Sequence, residues 1–98
     1  MDAHYRINLL LSLSATLLSF LLLEGTTAWL VAFFNYSVLT VELLNTAIER
    51  AVDTATEEFS ETAKLAKDAA AAAVLTVGLF AAAADLYFLI PAILRRFL

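Results

Sequence analysis

The sequence predicts an all-α membrane protein with three transmembrane helices per subunit, and three observations carry that prediction. Of the 98 residues, 62% are hydrophobic, against roughly 45 to 50% in soluble globular domains. The mean hydropathy is +0.85. Three long apolar runs account for nearly the whole chain, with one extended polar segment between the second and the third. One integral-membrane domain over residues 1–98 is therefore expected, with spans at about 7–23, 26–48 and 69–94 and a cytoplasmic polar segment at 49–68.

The first span, INLLLSLSATLLSFLLL, is seventeen residues long, near the short limit for crossing a hydrocarbon core at about 1.5 Å rise per residue. It follows Arg6 as a secretory leader would, but Glu24-Gly25-Thr26-Thr27 offers no small-x-small cleavage pattern, so a retained span is expected. Glu24-Gly25 makes a tight turn. The second span runs from Thr26 through TTAWLVAFFNYSVLTV, with Trp29 near its outer end, where an amphipathic ring suits the headgroup boundary. No helix breaker appears until well past Asp53, so this helix leaves the bilayer still wound. The third span starts at Ala69 and continues to Arg95-Arg96. Pro91 falls near its end, where a lost hydrogen bond costs least.

Charge and composition exclude several functions. A formal charge of −4, with six Lys and Arg scattered along the chain, makes no clustered basic surface for nucleic acid. Without cysteine there are no disulfides, thiolate nucleophiles or thiolate metal sites. Gly25 and Gly78 are the only glycines, too few for a P-loop or a protein-kinase nucleotide loop. Arg6, Arg50, Lys64 and Lys67 fall on one side of the three-span arrangement, and Arg95 and Arg96 on the other. The positive-inside rule then puts the N-terminus and the polar segment in the cytoplasm.

The segment VELLNTAIERAVD, residues 41–53, carries the chemistry. Glu42, Asn45, Glu49 and Asp53 are spaced by three, four and four, forming one polar stripe about 16 Å long on a helix otherwise apolar. Glu42 lies within or at the hydrocarbon boundary, where an ionisable group is expensive and points to function. Solvated side chains on a surfacing helix are the plain alternative, even odds for Asp53 and weaker for Glu42 and Asn45, which are flanked by Leu43, Leu44, Ala47 and Ile48. Lys67-Asp68 opens the third span from the same side. Carboxylates with an amide suit Mg²⁺, which takes one or two carboxylates plus substrate phosphates, and a lysine suits phosphate as a point charge.

These residues resemble a known family. ELLNTAIE at 42–49, Asp53, and AKDAAAAAV at 66–74 look like the two signature segments of the prokaryotic diacylglycerol kinase and undecaprenol kinase family, small three-span enzymes that act as homotrimers. DAHYRIN at 2–8 is similar, more weakly, to that family's E-x-N-F-R-I-H segment. The resemblance implies an ATP- and Mg²⁺-dependent lipid kinase. It would transfer the γ-phosphate to the primary hydroxyl of undecaprenol or diacylglycerol at the cytoplasmic face of the bacterial inner (plasma) membrane. It assigns Glu42 as the catalytic general base and, with Asn45, part of the lipid-binding site. It assigns Glu49 and Asp2 to the metal, and Lys67, Asp68, Asn45 and Glu49 to the nucleotide. The polar stripe must also avoid lipid, which three helices alone cannot arrange, so a homotrimer of nine helices is expected.

Departures from the family pattern define a second expectation. The chain begins at the acidic position itself, so the family's N-terminal amphipathic helix is expected to be absent; Asp2 replaces a glutamate, and Ala72 stands where many members have glycine. A non-catalytic or minimal homotrimeric membrane protein of the same fold is thus the alternative. The alanines at 69–73 still permit close helix approach. Among the remaining polar residues, His4 reads as interfacial, Glu57, Glu58 and Glu61 as a solvated face, and Asn35 as interhelical glue. Asp85, about 26 Å beyond Asp68 on a straight helix, is expected near the outer boundary, solvated or in an intersubunit hydrogen bond.

Overall fold

The computed structural model describes residues 3–55, 58 and 60–98, with side chains from Tyr5 onward. Helix α1 spans Ala3–Leu22, α2 Gly25–Ala55 and α3 Glu61–Ala84; a π turn at Asp85–Leu89 then leads into α4, Ile90–Phe97. The described residues contain no strand. Three stretches, Tyr5–Leu22, Gly25–Ala55 and Glu61–Phe97, are long and apolar enough to cross a membrane. The bundle measures 54 × 21 × 18 Å, the proportions of helices laid side by side.

Local chemistry sets each boundary. Gly25 has φ +57°, the left-handed region that glycine enters without a Cβ penalty. It reverses the chain after only Leu23 and Glu24, so α1 and α2 lie antiparallel. Ser60 caps α3 with extended backbone angles, its Oγ accepting from the Ala63 N–H at 3.0 Å. Helix α3 therefore starts two turns ahead of the expected apolar span at Ala69, and Lys64, Lys67 and Asp68 ride on it instead of in a loop.

Pro91 falls near the end of the third span, as expected, and the helix continues past it to Phe97; the preceding turn widens to π geometry, with the Ile90 N–H donating to the Asp85 carbonyl five residues back. A proline ring clashes with the carbonyl four residues before it and supplies no N–H, and a π turn relieves both.

Packing follows helical spacing. Ala28, Val31, Ala32, Asn35 and Glu42 are the buried residues of α2, one face met by α1 on one side and α3 on the other. Val31, Ala84 and Leu89 form the centre, supported by Ala15, Leu18 and Phe34. Phe34 stacks on Phe80 with ring centroids 6.1 Å apart. Small residues, Ala70, Ala81 and Ala84, are what α3 buries, as expected where helices approach closely in lipid. The outward surface is apolar: Leu10, Leu21, Trp29, Phe33, Leu79 and Tyr87 are all exposed, the inverse of a soluble protein and suited to acyl chains. Trp29 is 70% exposed and meets Phe20 edge-to-face. Several hydroxyls within the spans bond their own helix, Thr16 to the Ser12 carbonyl at 2.7 Å and Ser19 to the Ala15 carbonyl at 2.7 Å, which satisfies those donors in hydrocarbon.

Asn35 acts as the interhelical tie its position suggests. Its amide donates to Asp85 Oδ1 at 2.6 Å and to the Val31 carbonyl at 3.0 Å. Asp85 is thereby bonded within its own chain, a correction to the solvated or intersubunit role expected of it. A polar group in the π turn after α3 meets, at that depth, the amide of Asn35 on α2.

Candidate functional site

The polar stripe of α2 is divided among three partners, and its upper and lower halves face different helices. Glu42 is buried, 7% exposed, and its Oε1 accepts from Asn8 Nδ2 of α1 at 3.0 Å. Asn8 and Glu42 each stand seventeen residues from Gly25, so the antiparallel hairpin brings them to one height. Among the described residues no lysine or arginine pairs with Glu42; an amide is what meets its carboxylate. Thr46 donates to the Glu42 carbonyl at 3.1 Å, which belongs to the helix backbone and not to the acid.

Asn45 does not join Glu42 but turns up the stripe, donating to Glu49 Oε1 at 3.3 Å. Its own Oδ1 is buried with no hydrogen-bond partner, an acceptor awaiting a donor or a cation. Glu49 is exposed. Lys67 bonds Asp53 Oδ1 at 2.5 Å, bridging α3 and α2, while Asp68 takes Lys64 at 3.0 Å along its own helix. Lys67 precedes the apolar stretch of α3, and the hydrogen bond it donates to Asp53, with smaller pulls from Asp53 and Glu49 charge, holds its ammonium above the ordinary lysine value. It is a fixed cation at any physiological pH.

The site residues expected from the sequence are thus brought to one end of the α2–α3 pair, although not as first grouped. Glu42 and Asn45 do not act as a bonded pair. Lys67 and Asp68 point to different partners. Asp2, His4 and Glu57 lie outside the described residues or side chains. Sequence reasoning missed Asn8. The signal was available: a polar residue seventeen positions before the turn glycine must face whatever lies seventeen positions after it.

For a metal, the described residues hold no group of three or more His, Cys, Asp or Glu close enough to bind one alone. The Asn45 Oδ1 left without a partner and the exposed Glu49 carboxylate beside it are hard oxygen donors. That set fits Mg²⁺, which retains waters and takes the rest of its ligands from a phosphate substrate. An apolar groove of about 600 Å³ between α1 and α2, walled by Phe20, Trp29 and Phe33, extends to Thr40 and Val41; Glu42 is not part of its lining.

The sequence profile described as prokaryotic diacylglycerol kinase matches residues 1–89, which takes in the stripe, Lys67 and Asp85. The chain belongs to that family. Among curated relatives, a protein named diacylglycerol kinase from Synechocystis sp. is 40% identical over 80 residues, 81% of this chain and 46% of the relative. One named undecaprenol kinase from Bacillus subtilis is 39% identical over 64 residues, 64% of this chain and 52% of the relative. The chain spans about half the length of the curated relatives it matches. Three apolar helices and this family make it a multi-pass membrane protein.

Proposed function

We propose that the chain is a lipid kinase that moves the γ-phosphate of ATP to the primary hydroxyl of undecaprenol or diacylglycerol, with Mg²⁺, at the cytoplasmic face of the bacterial inner membrane, as a homotrimer. The observation that carries the reading is Glu42: a carboxylate buried in an apolar span, with an amide for partner and, among the described residues, no cation. Packing alone does not call for an acid there. The apolar groove on the α1–α2 face, which extends to Val41, supports a lipid as the acceptor.

Glu42 takes the proton of the lipid hydroxyl as its oxygen bonds to the γ-phosphorus; the bond from that phosphorus to the β–γ bridging oxygen breaks, and ADP leaves. Glu49, about 10 Å further along the helix than Glu42, and the Asn45 Oδ1 would hold Mg²⁺, with Asp2 as a further ligand. When bound, the ion neutralises charge building on the phosphates. Lys67, exposed at the end of α3, exchanges its Asp53 partner for a phosphate oxygen, and Asp68 lies beside it toward the ribose or metal. Family membership and the names of the relatives support this chemistry.

A second reading, a non-catalytic protein of the same fold, is favoured by Lys67 and Asp68 each already holding a partner within the chain. Radiolabelled ATP, Mg²⁺ and each lipid alcohol in separate detergent micelles decide between the two, and the two arms separate the lipids. Glu42→Gln keeps the shape and abolishes proton acceptance. General bases contribute about 10²- to 10⁴-fold, so a variant keeping more than about a tenth of the wild-type rate refutes the base assignment.

A further inference from the structure

We propose that Asn8 is the positioning residue for Glu42, holding one carboxylate oxygen so that the other faces the lipid hydroxyl. This rests on Glu42 acting as the base. The contact joins two helices across thirty-four residues at 3.0 Å, and only the NH₂ of an asparagine can face a carboxylate, which accepts but does not donate. Glutamate has three side-chain torsions, and the bond to Oε1 removes the freedom of the last, leaving Oε2 with a fixed direction. A base must lie within about 3 Å of the proton it takes, and a misplacement of about 1 Å costs on the order of 10²-fold.

The donor is also neutral. A lysine or arginine in its place would form an ion pair, whereas an amide orients the carboxylate by a single hydrogen bond. Glu42 is 7% exposed, so water is a poor substitute for that donor, and without it one oxygen faces an apolar wall. The amide therefore acts on the rate of transfer and makes no contact with Glu49, about two turns further along α2, or with Lys67 on α3.

The test is a kinetic comparison of wild type with Asn8→Leu, Asn8→His and Glu42→Gln, with titrations in ATP and in mole fraction of lipid, and helicity and unfolding midpoint measured alongside. Leucine keeps the volume and removes the donor: kcat is expected to fall about 10- to 100-fold while both KM values stay within about twofold. Histidine places an N–H at nearly the same reach and is expected to recover most of that loss. Asn8→Ser, polar but too short for Oε1, makes the same comparison if the leucine variant does not fold. The proposal is overturned if the donor-less variant keeps wild-type kcat, if its loss tracks a lowered unfolding midpoint, or if histidine recovers nothing. Those results with an inactive Glu42→Gln leave the base reading standing; an active Glu42→Gln removes the base reading itself.

Discussion

Replacing Asn35 by leucine tests whether a polar tie inside the spans holds α2 to α3. Asn35 is 4% exposed and gives its two amide protons to the Val31 carbonyl and to Asp85. Leucine keeps the volume and removes both. The Val31 carbonyl retains its helical N–H partner, so the loss falls on Asp85, half-buried and left without its donor. Stranding a buried polar group costs about 1 to 3 kcal/mol, while interhelical hydrogen bonds in membranes average about 0.6 and reach about 1.7 kcal/mol. The half-exposure of Asp85 places Asn35→Leu at about 1.5 kcal/mol by those same figures. Asp85→Leu leaves Asn35 with Val31 as acceptor and costs about 0.5 kcal/mol or less. The double variant then costs about as much as Asp85→Leu alone, a coupling of about 1.5 kcal/mol. Reversible unfolding in mild micelles titrated with a denaturing detergent, followed by helicity, measures all four proteins. Additivity within about 0.3 kcal/mol, or an Asp85→Leu variant as damaged as Asn35→Leu, refutes the tie.

Lys67→Ala is expected to raise KM for ATP about tenfold or more, the loss of one charge-assisted phosphate contact, with the lipid titration unchanged; a shift in the lipid titration alone shows that Lys67 serves the other substrate. Ser60→Ala removes the cap on α3 and costs that end about 1 kcal/mol. The amide of Ala63 should then exchange with deuterium several-fold faster, and an unchanged rate means that the Oγ contact contributes nothing.

The spans were legible because their signal is local: apolar length and the absence of breakers decide them within one segment. The stripe at Glu42, Asn45, Glu49 and Asp53 was legible for the same reason, since helical spacing alone aligns it. Pairing was harder, because it depends on register across a turn. Asn8 meets Glu42 by symmetry about Gly25, and Lys67 meets Asp53 seven residues either side of Ser60. Asn35 and Asp85 also stand at equal distance, twenty-five residues, from Ser60. Those registers follow once the turn centres are known, but the sequence marks Gly25 clearly and Ser60 only as one serine in a polar segment. The π turn was not legible, since nothing local says whether a proline will end a helix or widen it.

Helix α2 is unbroken for 31 residues, about 46 Å of rod through a hydrocarbon core of about 30 Å. Trp29 and Glu42 sit on it thirteen residues apart, a fixed separation of about 20 Å. In the orientation of the proposed function, with the indole at the outer headgroups, the depth of Glu42 below the inner headgroups is the thickness of the lipid minus that constant. A thin bilayer lifts the carboxylate toward the plane where lipid hydroxyls lie; a thick one sinks it, unless the rod tilts at a cost of fractions of a kcal/mol per ångström. On the function proposed above, the thickness of the surrounding lipid then sets how far that acid reaches.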